Sequence, residues 1–375
     1  MTAACIVRFN SFAMFLAFRI TIFVFIWNFS IASRMGLAHN TMCQTPTGNP
    51  GRCMTVRDCQ YTLNIIHRFH VTKTDQQYLE NSKCGFQTRT KKPMVCCPEF
   101  RYERECGRIT LQDNIVGGQE TEPDEFPWTA LLVYRLGVAE RLRFYCGGAL
   151  INERYVVTAA HCVKQIGKLK LIAVRLGEWD ITTEIDCKYN TGDERVCNSY
   201  PHIDIPIDAT IAHPEYSDTK HDIALLKLAN IVTMTDLISP ICLPTSAMDE
   251  NLVVEDETFD VAGWGRTEQV HQSLRKRKAS IPGQPLSVCQ EKYVNVSLTE
   301  NQLCVGGISG VDSCRGDSGG PLMLIIENRW YLAGVVSFGT KQCGLKGIPG
   351  IYTRLGRYLN WIATSIEDQS RSVDD

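Results

Sequence analysis

The 375-residue sequence lacks a charge bias, a zinc-type cysteine pair and, after Phe29, any long apolar run. Its 39 basic and 41 acidic residues nearly cancel, which argues against a chain built to bind nucleic acid. None of its 17 cysteines forms a Cys-x-x-Cys pair, the spacing that the usual zinc sites need. Disulfide bonds therefore remain as the explanation for so many cysteines.

An almost continuously apolar segment runs from Phe12 to Phe29, with a basic residue before it and small residues after it. This order is typical of a secretory signal, so we expect residues 1–33 to be removed and the chain to be secreted. The alternative is a retained membrane anchor, because the run reaches the roughly 18 residues at which spanning helices begin. Arg19 and Asn28 within the run argue against an anchor.

Cys5 lies in the signal segment, and the 16 cysteines that remain are an even number, which suits complete pairing in an oxidising compartment. Six of them crowd residues 43–97, a segment too small to rely on an apolar core and therefore stapled by disulfides. The residues alone do not choose among the many pairings that six cysteines allow.

A charged connector, residues 98–114, ends at Asn114, and Ile115-Val-Gly-Gly follows. One interpretation is a simple strand start. The other is a zymogen, because cutting before Ile115 creates an ammonium group that the glycines allow to swing inward. A buried charge left unpaired costs several kcal/mol, and Asp317 is the obvious acidic partner.

From Ile115 onward, short β-branched or apolar runs alternate with Gly, Pro, Asn and Asp, which predicts an all-β architecture. A length of about 250 residues suits two barrels better than one sandwich. An amphipathic helix is predicted near residues 358–366, where apolar residues recur with a period near 3.6. The predicted strands are Thr129 to Tyr134, Cys146 to Ile151, Tyr155 to Ala160, Leu171 to Leu176, Ile223 to Leu228, Phe259 to Trp264 and Trp330 to Phe338.

Three polar residues in separate stretches suggest catalysis. Ser318 lies among glycines, where a tight turn exposes its hydroxyl and aims the amides of Gly316 and Ser318 at one spot, as a nucleophile and its oxyanion hole require. An acidic, glycine-rich turn without chemistry is the alternative. His161 follows small residues beside Cys162, and Asp222 stands at the mouth of an apolar strand. A buried acid must be hydrogen-bonded, which the His161 imidazole could provide.

The motifs around Ile115, His161, Asp222 and Ser318 together resemble the trypsin-chymotrypsin family, from Ile115 to about Ile366. The resemblance implies two antiparallel β-barrels with a C-terminal helix, followed by a tail, residues 367–375. It also implies that Ser318 attacks the scissile carbonyl, His161 moves the proton and Asp222 holds His161, with no cofactor required for the chemistry. Some relatives have lost the triad and act as non-catalytic cofactors, and the presence of Ser318 argues against that alternative.

Specificity follows from the same resemblance. Asp312 matches the base of the primary pocket, and Gly339 and Gly350 match its walls, which implies cleavage after Arg or Lys. An ordinary loop aspartate is the alternative. Pro349 stands where sodium-activated relatives carry an aromatic residue, so no sodium site is expected.

Residues 43–97, with adjacent Cys96 and Cys97 just upstream of a protease, resemble the clip domain of arthropod serine proteases, a protein-docking module. Bridging of Cys106 to Cys242 would keep this domain attached after activation. The resemblances imply the pairs Cys43–Cys96, Cys53–Cys84, Cys59–Cys97, Cys106–Cys242, Cys146–Cys162, Cys187–Cys197, Cys289–Cys304 and Cys314–Cys343.

Weaker expectations concern three surface features. Glu178 and Asp186 resemble the calcium ligands of relatives, with a solvated acidic loop as the alternative. Asn295 begins an N-glycosylation sequence. The basic run 275–278 could bind a polyanion, although alternate residues of a strand would simply face solvent.

The sequence therefore predicts a secreted zymogen of a trypsin-like endopeptidase from an extracellular cascade, such as melanisation or Toll signalling, or from a venom. Its expected partners are downstream zymogens or cytokine precursors as substrates, serpin inhibitors and an upstream protease. Asn114 is not basic, so the enzyme's own inferred specificity would not cut before Ile115.

Overall fold

The computed structural model describes residues 38–68, 71–87, 90–99, 105–109, 119–137, 141–189, 195–266, 272–309, 316–340 and 344–371. These residues divide into two compact units. The first comprises residues 38–99 together with 366–371, and the second comprises residues 105–365. The predicted signal segment, Asn114, Ile115, Asp312 and the Cys314–Cys343 pair lie outside the described residues.

The first unit is a small antiparallel sheet with two helices. The sheet has the order β1-β2-β4-β3. Its strands are β1 Met42–Gln44, β2 Pro50–Thr55, β3 Lys83–Phe86 and β4 Pro93–Pro98. The helices Gln60–Ile66 and Lys73–Asn81 cover it with a core of a few large side chains, among them Tyr61, Ile65 and Tyr78. Such a core is small, and three disulfides supplement it: Cys43–Cys96, Cys53–Cys84 and Cys59–Cys97.

The end of the C-terminal helix Leu359–Arg371 also belongs to the first unit. Glu367 is fully buried there and accepts hydrogen bonds from Thr45, Thr47, Asn49 and Tyr78. A buried carboxylate is tolerated only when its lone pairs are used in this way. The helix thus continues through residues that the sequence analysis assigns to a tail.

The second unit contains a first closed barrel of six antiparallel strands, in the order β12-β13-β8-β7-β6-β9. A short hairpin, β10 Cys187–Tyr189 with β11 Arg195–Cys197, precedes β12. The barrel strands are β6 Thr129–Leu136, β7 Arg141–Asn152, β8 Tyr155–Thr158, β9 Leu169–Leu176, β12 Ile203–Ala212 and β13 Ala224–Leu228. All five residues of β13 are buried, which explains why the sequence around it reads as a nearly continuous apolar run.

A second six-stranded barrel follows, closed by the pairing of β14 with β15, and β5 Gln119–Glu120 adds to β15. Its strands are β14 Thr258–Gly263, β15 Arg277–Gln284, β16 Gln302–Gly306, β17 Pro321–Ile326, β18 Arg329–Phe338 and β19 Pro349–Arg354. The unit's short helices are His161–Lys164, Ser246–Glu250 and Leu286–Lys292, with 3₁₀ turns at Val254–Asp256 and Leu355–Tyr358. Two antiparallel barrels and a C-terminal helix confirm the predicted fold class.

The basic run 275–278 alternates as expected, with Arg275 exposed and Arg277 half-buried. Lys276 and Lys278 are buried, and Lys278 pairs with the buried carboxylate of Glu125. Burial lowers the pKa of Lys276 to about 8. The outward-facing members of the run are thus Arg275 and Arg277, while Lys276 and Lys278 point into the closed sheet.

Candidate active site

His161 and Asp222 are brought together at one edge of the first barrel. His161 begins a short helix just after β8, and Asp222 lies just before β13, the strand paired with β8. Nδ1 of His161 lies 2.8 Å from Oδ2 of Asp222, and the His161 amide donates to Oδ1 at 2.9 Å. Nδ1 therefore carries the imidazole proton, which leaves Nε2 able to accept another.

Two residues of the second barrel complete the surroundings of Asp222. The Ser337 hydroxyl donates to Oδ2 at 2.6 Å, and the Thr353 hydroxyl donates to the Asp222 carbonyl at 2.8 Å. Burial by itself would raise the pKa of Asp222, but the hydrogen bond and charge of His161, together with the Ser337 bond, hold that pKa below its ordinary value. The carboxylate therefore stays ionised while it orients the imidazole.

Sequence reasoning missed Ser337 and Thr353. A signal existed for Ser337, which is the polar member of the apolar stretch Val335-Val336-Ser337-Phe338 and is buried. A buried hydroxyl in such a stretch needs a partner. The identity of that partner depends on strand positions that a single sequence does not give.

The turn that carries Ser318 is fixed against both barrels. The amide of Gly147, in β7, donates to the Ser318 carbonyl at 2.8 Å, and the Gly319 amide donates to the carbonyl of Val336 at 2.8 Å. Gly319 has φ +78°, and a Cβ there would collide with the Thr158 hydroxyl and the Gly147 carbonyl. Glycine is therefore required next to the serine.

The disulfide Cys146–Cys162 joins β7, whose Gly147 holds the serine turn, to the helix that begins at His161. Sγ of Cys162 lies 3.6 Å from Nε2 of His161 and 3.6 Å from the Ser318 carbonyl oxygen. The backbone of Ser318 thus lies close to the His161–Asp222 pair, between the two barrels.

The Asp317 carboxylate sits against Gly263 and Gly265. The Gly265 amide donates to Oδ1 at 2.8 Å, and a Cβ on either glycine would overlap the carboxylate. Asp317 is thereby held in a defined position directly beside Gly316 and Ser318. Ile115, its predicted partner, lies outside the described residues.

The two glycines of the predicted pocket face each other. A Cβ built on Gly339 would come no closer than 3.9 Å to any neighbour, the Tyr293 hydroxyl, and would lie 4.0 Å from the Cα of Gly350. Gly350 is in β19, next to Pro349, whose carbonyl accepts from the Tyr293 hydroxyl at 2.7 Å. The two predicted wall positions are therefore neighbours, and neither carries a side chain.

Glu178 and Asp186 are buried and converge on one backbone amide, that of Trp179, which donates to Oε1 of Glu178 and to Oδ2 of Asp186 at 2.9 Å each. Burial and the charge of Asp186 raise the pKa of Glu178 from 4.5 to about 7, although Arg175 donates to its Oε2 at 3.0 Å. Carboxylate oxygens are the kind of ligand that calcium takes, and here Arg175 and the Thr183 hydroxyl also donate to the two carboxylates.

Seven of the eight implied disulfides are present in the described residues. Cys106–Cys242, Cys187–Cys197 and Cys289–Cys304 join the four already given. The connector is also tied at Gly107, whose amide donates to the Pro240 carbonyl at 2.8 Å.

Asn295, which begins the predicted N-glycosylation sequence, is exposed. No helix among the described residues is long and apolar enough to cross a membrane.

The family models for trypsin and for the regulatory CLIP domain of proteinases match residues 115–362 and 43–97, respectively. The chain belongs to the trypsin family and is a serine endopeptidase, of the class that carries a clip domain.

Its relatives include CLIP domain-containing serine protease B15 of Anopheles gambiae, 41% identical over 86% of this chain and 90% of that protein. Melanization protease 1 of Drosophila melanogaster is 39% identical over 86% of this chain and 92% of its own length. The crystal structure of the Drosophila Grass clip serine protease of the Toll pathway matches with a TM-score of 0.64 and 34% identity, over 88% of this chain and 98% of that one.

Proposed function

We propose that the chain is the secreted zymogen of an endopeptidase that cleaves proteins after Arg or Lys in an extracellular cascade. The observation that carries the specificity is that Gly339 and Gly350, the two pocket-wall positions, lie next to each other without side chains, combined with the acid at position 312 of the sequence. A cationic side chain bound between these walls would have the carboxylate of Asp312 as its partner.

The proposed chemistry uses the pair already described. Ser318 Oγ attacks the carbonyl carbon while its proton moves to Nε2 of His161, and the imidazolium that forms is stabilised by Asp222. The amides of Gly316 and Ser318 hold the oxyanion. The proton then passes to the leaving amine, and a water molecule repeats the sequence to release the acyl group.

Activation is proposed to act through Asp317. A cut before Ile115 frees an ammonium group that pairs with this carboxylate and so fixes the backbone of Gly316 to Ser318. The Cys106–Cys242 bond holds the connector to the protease when that cut is made. The clip domain, residues 43–97, would remain attached as a docking module.

The proposed biological setting rests on the relatives named for melanisation and the Toll pathway. Substrates of the expected class are downstream zymogens or cytokine precursors, and serpins would be its inhibitors. Sequencing the N-terminus of secreted material tests removal of residues 1–33. A retained membrane anchor would leave the apolar segment in place.

We expect Asp312→Ser to lower kcat/KM for an arginyl peptide on the order of 10³-fold, because losing a buried ion pair costs about 3–5 kcal/mol. The activated enzyme would be profiled on peptides that differ only at the cleaved residue. Labelling of Ser318 by a small phosphonate should persist in this variant, and Asp312→Glu, which keeps the charge, should retain part of the preference. A wild-type preference for Phe or Leu would contradict the assignment.

A structural calcium ion is proposed between Glu178 and Asp186. In the metal-free protein, the raised pKa of Glu178 means that stability falls as the pH rises from 4.5 to about 7, because the unfolded chain loses its proton first. Calcium replaces that proton, so its effect should grow over the same interval. At 100 times Kd it adds about 2.7 kcal/mol, or roughly 5 °C in Tm.

Thermal unfolding with and without calcium at pH 6 and pH 8 checks this expectation. The increase in Tm should be larger at pH 8, and Glu178→Gln should abolish it. Magnesium serves as the control ion, since it demands a tighter octahedral geometry. Equal shifts with both ions, or a calcium shift that survives Glu178→Gln, would contradict the site.

A further inference from the structure

Three metal-ligating side chains meet in the connection between β12 and β13. His213 directly follows β12, and His221 directly precedes Asp222. Each of His213, Glu215 and His221 offers a ligand atom, and these three atoms lie within 4.8 Å of one another. The His213 amide donates to the Ile223 carbonyl at 3.0 Å, which closes the connection and holds its two ends together.

The two imidazole rings lie face to face, so a ring rotation would bring their nitrogens onto one metal ion. They stack with centroids 4.7 Å apart and an interplanar angle of 10°. Nε2 of His221 lies 3.8 Å from Oε2 of Glu215, while its Nδ1 lies 3.2 Å from the Tyr358 hydroxyl. A histidine that binds a metal through one nitrogen usually has the other nitrogen fixed by a hydrogen bond, and Tyr358 is placed to supply it.

The ligand types of these three side chains favour zinc. Two imidazoles and one carboxylate are ligands that zinc accepts in three-residue sites with an open fourth position for water. The Glu215 amide donates to Nδ1 of His213 at 3.2 Å, which ties the carboxylate-bearing residue to this imidazole. Glu215 is exposed, so a metal ion can enter from solution.

The site is next to the catalytic pair. His221 has φ +52°, a left-handed conformation that is uncommon outside glycine, and Asp222 follows immediately. The Ile223 amide donates to the His221 carbonyl at 2.8 Å, so the turn is tight. A displacement of His221 toward a metal ion is transmitted through one peptide bond to the carboxylate that orients His161.

We propose that His213, Glu215 and His221 form a zinc-binding site and that zinc bound there lowers the rate of proteolysis by displacing Asp222. Its three ligands are different residues from those of the specificity pocket and from Glu178 and Asp186. It would make the enzyme responsive to the concentration of free zinc in its surroundings.

Binding is measured by equilibrium dialysis of the full chain against zinc chloride, before and after activation, so that the result does not depend on cleavage specificity. In His213→Asn, we expect the affinity for one zinc ion to be at least about 100-fold weaker. Residues that only hydrogen-bond to zinc ligands already contribute 10–100-fold to the affinity. His67→Asn, at an exposed histidine of the first unit, is the matched control. His202→Asn excludes binding beside Glu178, because His202 lies 3.5 Å from that carboxylate.

The rate is then followed on the best peptide substrate, and each variant is compared with its own zinc-free rate. Zinc should slow the wild type and the two control variants at least tenfold, and EDTA should restore the rate, whereas His213→Asn should be slowed less than twofold. Zinc binding that His213→Asn leaves unchanged would overturn the site. Binding that depends on His213 but leaves the rate unaltered would overturn the regulatory role.

Discussion

Replacing Asp222 with asparagine is expected to lower kcat by about 10⁴ at neutral pH, the size of fall that loss of this carboxylate produces in Ser-His-Asp chemistry. The asparagine amide can donate to Nδ1 of His161, the atom that now lies 2.8 Å from the carboxylate. The imidazole proton then moves to Nε2, which can no longer accept the proton of Ser318. Steady-state kinetics of the activated variant measure the loss.

Ser337→Ala is the matched control for this prediction. It removes one hydrogen bond to the same carboxylate oxygen, 2.6 Å in length, but leaves the charge of Asp222 in place. We expect a loss of about tenfold, because one hydrogen bond to a charged group contributes about 1.5–3 kcal/mol and only part of it bears on the transition state. An Asp222→Asn enzyme more active than Ser337→Ala would contradict the assigned role of Asp222.

Replacing Asn114 with arginine should make the zymogen activatable by trypsin, while the wild type resists. An arginine at the cut position gains the buried ion pair in trypsin's pocket, which is worth about 3–5 kcal/mol, or on the order of 10³ in the rate of cutting. The measurement combines activity with N-terminal sequencing of the new chain. Ile115 should be its first residue.

Asn114→Gln is the uncharged control and should remain resistant. Arg108 offers trypsin a second bond, since it is exposed and lies two residues after the Cys106 bridge. A chain that starts at Ile109 lacks the Val-Gly-Gly that follows Ile115, so it should stay inactive. Fully active wild-type enzyme with Ile109 as its N-terminus would sink this account of activation, including the need for an upstream protease of different specificity.

Much of the active site can be predicted from the sequence, because the neighbours of its three central residues in the sequence indicate their roles. Ser318 requires neighbouring glycines, and His161 follows small residues beside a half-cystine. The supporting groups Ser337 and Thr353 could not be assigned in this way. They reach Asp222 from β18 and β19, so their contact depends on how two barrels meet.

The fold class could be predicted from the sequence, but several strands could not. Strands with apolar runs, such as Thr129–Leu136, are recognisable. The strand Ile203–Ala212 is not, because all its residues except Ile205 are exposed or half-buried and it contains Pro206. In the clip unit, disulfides replace much of the apolar core, so the apolar pattern is weak. The burial of Lys278 was missed because its partner, Glu125, is far away in the sequence.

The most direct test of the central claim is covalent labelling with an arginine-like phosphonate, followed by mass spectrometry of the modified peptide. We expect a label on Ser318 only after the chain is cut before Ile115. We also expect much slower labelling by the phenylalanine analogue, because Asp312 selects a cation. Label on another residue, equal labelling of the uncut chain or faster labelling by the phenylalanine probe would contradict these roles.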